Sequence, residues 1–187
     1  MSSWVVCRLL DDNNLPVSTF EREDEAMATL TKITPCLWFD TDGEEAATFY
    51  TSIFESSRIV HVSHYTAAGP RPEGMVMMVT FELDGQEFIA LNGGPEFTFD
   101  EAISFQVNCE TQQEIDRFWV KLSDGGSEGP CGWLKDKFGV SWQINPTFLM
   151  DEVLRDPDPE KAQRAMKAVL GMGKIDIAEV QRAMKHG

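Results

Sequence analysis

A strand, a capped helix and a run of further strands occur twice in this chain, in the same order. The helix signals are Thr41–Glu44 and Thr111–Glu114. Each has the spacing in which a threonine caps a helix and a glutamate reaches back to an unsatisfied N–H. Ahead of the first, Ile33–Asp40 reads as a strand, with Pro35, Leu37 and Phe39 opposite Thr34, Cys36 and Trp38. Ahead of the second, Ala102–Cys109 sets Ile103, Phe105 and Val107 opposite Ala102, Ser104 and Gln106. Ala46, Phe49, Tyr50, Ile53 and Phe54 form one helical stripe; Ile115, Phe118, Trp119 and Leu122 form another. Strands are expected at about Ser57–Tyr65, Gly74–Leu83 and Glu87–Asn92, the last two joined at Asp84-Gly85. The second unit closes with Gly132–Pro146, two short strands around a turn at Lys137–Gly139. Val140, Trp142 and Ile144 there alternate with Ser141, Gln143 and Asn145. Such a unit used twice is an internal duplication in element order. Strands with one apolar and one amide-bearing face imply helices on one side of the sheet and a cleft on the other.

The chain has 187 residues and a net charge of -15. Acids and bases balance from Asp151 onward, so Met1–Met150 carries the excess. Such a surface repels phosphate backbones and anionic lipid, which argues against nucleic-acid and membrane-surface partners. No apolar run is long enough to span a bilayer, and the N-terminus lacks the pattern of a secretory signal. Cys7, Cys36, Cys109 and Cys131 are scattered without a zinc or redox spacing, and read as reduced thiols of a cytoplasmic protein.

Residues 1–31 read as an N-terminal extension, either mobile or packed through Trp4, Val5, Val6, Leu9 and Leu10. Residues 32–147 hold the duplicated domain, with modules at about 32–94 and 100–147. Residues 148–187 form a helical extension. It comprises a short helix at Phe148–Leu154, a longer one after Pro157 and Pro159 through Ala162, Met166, Val169 and Leu170, and a last one opened by Asp176–Glu179 with Val180 and Met184 inward. These stripes need a partner surface, in the same chain or in a second subunit.

Ile33–Asp40, Glu44–Tyr50, Ala90–Pro95, Ile103–Val107 and Gly132–Gln143 resemble the PhnB-like branch of the glyoxalase/bleomycin-resistance (vicinal oxygen chelate) superfamily. Gln163–Ala168 and Lys174–Ile177 resemble the helical tail of that branch. The resemblance implies an α+β fold of paired βαβββ modules whose sheets form an open cleft, and a homodimer. It often brings a demethylubiquinone methyltransferase label. A nucleotide-type methyltransferase needs a Gly-rich strand-to-helix turn, and Asn92-Gly93-Gly94-Pro95 is a poor substitute for one.

Metal-dependent relatives take one ligand from the first and last strand of each module, typically His or Glu. The matching positions here are Thr34 or Cys36, about Asn92, Ala102 and Gln143. Neutral amides, a lone thiol and an alanine do not make a site, so neither a catalytic metal nor another cofactor is expected. His61 and His64 are set on opposite strand faces. The expected cleft set is Cys36, Trp38, Asn92, Ser104, Gln106, Trp133 and Gln143, an apolar wall with a few amides suited to a small, mostly neutral metabolite. Trp38 and Trp133 are equally readable as packing, and Gln106 and Gln143 as internal strand bonds. Three functions fit this set: a small-molecule-binding protein, a metal-independent enzyme with Cys36 as nucleophile or proton donor, and a scaffold assembled through its helical tail.

Overall fold

A computed structural model describes residues 32–149, 153, 155 and 157–185; the expected N-terminal extension lies outside them. The first module comprises β1 (Cys36–Phe39), α1 (Gly43–Ile53), β2 (Arg58–His64), β3 (Val76–Leu83) and β4 (Gln86–Asn92). The second comprises β5 (Phe105–Cys109), α2 (Gln112–Ser123), β6 (Ser127–Glu128), β7 (Trp133–Lys135) and β8 (Ser141–Pro146). The two sheets run β1-β4-β3-β2 and β5-β8-β7-β6. In each, the first strand lies parallel to the last and the other pairs are antiparallel. The duplication seen in element order is therefore a duplication in topology, and the fold is α+β.

Side-chain alternation assigns the faces. Leu37, Phe39, Val79, Phe81, Phe88 and Ala90 are buried against the helices, as are Leu134, Trp142 and Ile144 of the second sheet. The stripes of α1 and α2 complete one shared core through Ala46, Ala47, Tyr50, Ile53, Ile115, Phe118, Trp119 and Leu122. Aromatic contacts cross between modules: Phe54 stacks on Phe118 at 5.0 Å and on Trp142 at 5.5 Å, and Phe88 meets Phe105 edge-on at 5.2 Å. Each such pair adds about 0.5–1.5 kcal/mol beyond area burial. The two-residue loop joining β3 and β4 has Asp84 at φ 46 and Gly85 at φ 80, as a hairpin turn matched to strand twist requires.

The two helix starts differ. Thr111 and Glu114 form the expected capping box. The box expected at Thr41 does not form: α1 begins one residue later, with Asp42 at the cap position and no side-chain bond from it. Asn92 of β4 supplies the acceptor instead, its Oδ1 taking the Gly43 N–H at 2.8 Å. β1 and β5 are shorter than their sequence patterns. Ile33 and Ile103 are exposed beyond their ends, and Ala102 sits in a turn.

The tail packs on its own chain. α3 (Pro159–Leu170) starts at the Asp158 cap with Pro159 in its first turn, and α4 (Ile177–Lys185) lies against it. Ala165, Val169, Ile175, Val180 and Met184 build a second core with Leu149 and Val153. Leu170, read as part of the apolar stripe of this helix, is exposed, while Ala165 and Val169 take the covered face. Gln112 of α2 donates to Ile175 O at 3.1 Å and accepts the Ile177 N–H at 2.9 Å. The N–H groups of Cys131 and Gly132 donate to Met172 O and Gly173 O, each at 2.7 Å.

Candidate functional site

The same alternation that buries one face of each sheet turns the other away from the helices. On the first sheet, register places Trp38, Leu91, Met78 and Ser63 in one row and Cys36, Ile89, Thr80 and His61 in the next. On the second sheet, Gln106, Gln143 and Trp133 share a row, as do Ser141 and Lys135. Of the expected cleft residues, Cys36 and Trp38 thus belong to one sheet and Gln106, Trp133 and Gln143 to the other. Ser104 joins the second group, its hydroxyl accepting from Gln143 Nε2 at 2.8 Å. Gln106 donates to Asn108 Oδ1 at 2.7 Å, so both glutamines spend a donor within the sheet.

Asn92 is not in the cleft. It has the parity of Phe88 and Ala90, faces α1 and is 2% exposed. Besides holding the Gly43 N–H, its Nδ2 donates to Val76 O at 3.1 Å, and its backbone oxygen accepts the Tyr65 hydroxyl at 2.8 Å. Phe88 and Ala90 alternate with Ile89 and Leu91, so both faces of β4 carry apolar residues and parity alone left them ambiguous.

Trp38 is fixed by packing. Its Nε1 donates to Gly94 O at 2.8 Å, its ring meets Phe97 at 5.1 Å, and a Cβ on Gly93 would lie 2.2 Å from the ring. Gly93 is therefore a seat for an indole, and no helix follows it to cradle a nucleotide. Cys36 is exposed as a residue, yet partial burial of its thiol pushes it up, and no described residue forms a hydrogen bond or ion pair with it to act as a base.

The residues present do not fit a metal. Thr34 donates to Glu87, Cys36 holds a thiol of raised pKa, Asn92 faces the helix, Ala102 has no donor and Gln143 is a neutral amide bonded to Ser104. Among the described residues no three His, Cys, Asp or Glu side chains are grouped to hold an ion.

The second sheet carries a pocket of about 500 Å³ walled by Trp133, Lys135, Ser141, Pro130, Cys131, Glu101 and Glu128. Trp133 is the sole member from the expected set. Lys135 and Ser141 face each other across β7 and β8, where paired side chains stand about 5 Å apart at Cβ. Lys135 Nζ pairs with Glu101 Oε1 at 2.6 Å. That hydrogen bond holds the Glu101 carboxyl below its ordinary value. Ser141 is 2% exposed and its Oγ has no hydrogen-bond partner among the described residues. Cys131 sits at φ 57, unusual for a side chain larger than glycine; its hydrogen bond to Met172 ties this wall of the pocket to the tail. The sequence placed Ser141 on the polar face of the closing hairpin but did not single out Lys135; counting outward from the turn at Lys137–Gly139 is the signal that pairs them. Glu101 was not legible, because it reaches in from the loop between modules.

A second concavity, of about 480 Å³, opens where the modules meet. Gln106 borders it with Phe54, Phe105, Phe118, Trp142 and Arg117. Arg117 bridges to Glu55 at 2.8 Å and lies over the Phe118 ring.

Residues 31–145 match the family described as 3-demethylubiquinone-9 3-methyltransferase. A PhnB protein from Bacillus cereus is 43% identical over 62% of this chain and 99% of its own, with a TM-score of 0.56. Protein PA1353 from Pseudomonas aeruginosa, 20% identical, shares the fold over 62% of this chain and 97% of its own, with a TM-score of 0.52. No curated protein matches. The chain belongs to this PhnB-like family, described as 3-demethylubiquinone-9 3-methyltransferase.

Proposed function

We propose that this protein binds a small molecule in the pocket of the second sheet, without a catalytic metal. The observation that carries the reading is Ser141. A hydroxyl removed from water without a partner costs roughly 1–3 kcal/mol, and this one lies in the wall of a pocket of ligand size beside a tryptophan and a lysine. A hydrogen-bonding ligand that opens the wall far enough to reach this sealed hydroxyl removes that cost. Methyl transfer, named in the family description, is not carried over, because no glycine-rich strand-to-helix turn stands where a nucleotide cofactor would sit. A homodimer belongs to the same reading, supported by the family resemblance. A cytoplasmic setting is supported by the free thiols of Cys36, Cys109 and Cys131.

The test is a thermal-shift screen of metabolites on the purified full chain. Bound ligand raises the melting temperature by mass action. Hits are expected to lose most of their shift in Ser141→Ala and Trp133→Ala. Hits that shift both variants as much as the native chain place the ligand elsewhere and refute this site.

A further inference from the structure

We infer that the pocket takes a small amphipathic monocarboxylate, its head group between Lys135 Nζ and Ser141 Oγ and its apolar body against Trp133, and that Glu101 occupies part of the head-group position until ligand arrives. The inference rests on the reading of this pocket as the ligand site.

The donors define the head group. A lysine ammonium offers three donors and no acceptor, and a serine hydroxyl offers one donor. Lys135 and Ser141 are in direct register across the hairpin, so a single group with two acceptor oxygens meets both once a side chain over the solvent-sealed Ser141 Oγ moves aside. A negative charge on that group makes both bonds charge-assisted. One carboxylate already does half of this: Glu101 reaches Lys135 at 2.6 Å yet leaves Ser141 Oγ unpaired. The Glu101 side chain is 66% exposed and comes from the loop ahead of β5, so an incoming oxyanion can displace it without disturbing the sheet.

The remainder of the wall limits the charge and shapes the body. Among the described residues, Lys135 is the one cation lining the pocket; the lining carboxylates are Glu101, paired with it, and Glu128, which accepts from Trp119 Nε1 at 2.8 Å, and Trp133, Leu134, Pro130 and Cys131 are apolar or weakly polar. A phosphate or a dicarboxylate would leave a second negative charge uncompensated, beside Glu101 and Glu128 and inside a chain of net charge -15. A monoanion with a hydrocarbon or aromatic body matches the wall.

The test uses calorimetric titration of the full chain with straight-chain carboxylates from butanoate to decanoate and 3-phenylpropanoate, each paired with its primary amide and amine. The best carboxylate is expected to bind about tenfold more tightly than its amide. Glu101→Gln removes the internal competitor at an exposed position, and should tighten carboxylate binding about threefold while leaving the amide unchanged. Lys135→Gln should erase the preference. Amides or amines that bind as well as the acids, and still weaken in Ser141→Ala, overturn the carboxylate and leave the pocket standing. If no member of the series binds, and metabolite hits are indifferent to Ser141→Ala, both readings fall together. Unaltered carboxylate affinity in Glu101→Gln overturns the competitor role.

Discussion

The Tyr50 hydroxyl donates to Asp136 Oδ2 at 2.8 Å, joining the helix of one module to the closing hairpin of the other. Trp142 Nε1 donates to the same oxygen at 2.8 Å, and Oδ1 accepts the Phe138 and Val140 N–H groups at 2.9 and 3.0 Å. Burial pushes the Asp136 carboxyl above its ordinary value; its four hydrogen bonds oppose that shift without cancelling it. Burial raises the Tyr50 hydroxyl as well, with the Asp136 charge and hydrogen bond adding to it. Both residues are buried. Asp136→Ala strands four donors, and should cost about 3–5 kcal/mol in urea unfolding. Tyr50→Phe removes one donor and should cost about 1–2 kcal/mol. Equal costs would show that the cluster acts through packing alone.

Asn92 replaces a missing cap from across the sheet. Asn92→Ala leaves the Gly43 N–H unpaired at the start of α1, and is expected to lower stability by about 1–2 kcal/mol. Ligand affinity should not change, since Asn92 faces the helix and not the pocket. A loss of affinity at unchanged stability would return it to the cleft.

Ser141→Ala should act oppositely on folding and on binding. Without ligand, deleting an unpartnered buried hydroxyl should stabilise the chain by about 1 kcal/mol, which for a chain of this size raises the melting temperature by about 2–4 °C. A loss of stability would mean that the hydroxyl is satisfied in solution.

Cys109 is a buried thiol pushed up to about 12, chiefly by burial and further by the nearby Glu114 charge, with Arg117 opposing. At pH 8 it should resist iodoacetamide under conditions in which exposed Cys36 reacts, as peptide mass spectrometry would record. The fold favours the neutral thiol. Its contribution is therefore complete below about pH 9, the unfolded value, and lost as pH rises toward 12. Cys109→Ala should flatten alkaline unfolding over that interval; an unaltered pH profile would refute the assignment.

Local patterns carried much of the architecture. The stripes of α1 and α2, the Thr111 cap and the alternation around Trp142 each depend on neighbours within a few residues, and all appear in the fold. Where two readings were locally equal, packing chose between them. Thr41–Glu44 has the spacing of a cap, yet the helix takes its acceptor from Asn92. Ile103 alternates correctly with Phe105 and Val107, yet it lies beyond the end of its strand and is 74% exposed.

The sequence by itself determined the order of elements, their duplication and the family, because caps, helical stripes and strand alternation are patterns among near neighbours. Only the tertiary structure decided that Asn92 faces a helix, that Glu101 reaches Lys135 from a loop, and that Cys36 and Trp38 belong to a different sheet from Gln143. Each of these joins residues far apart in the chain. Their meeting depends on how whole sheets and helices pack, and no local periodicity encodes that.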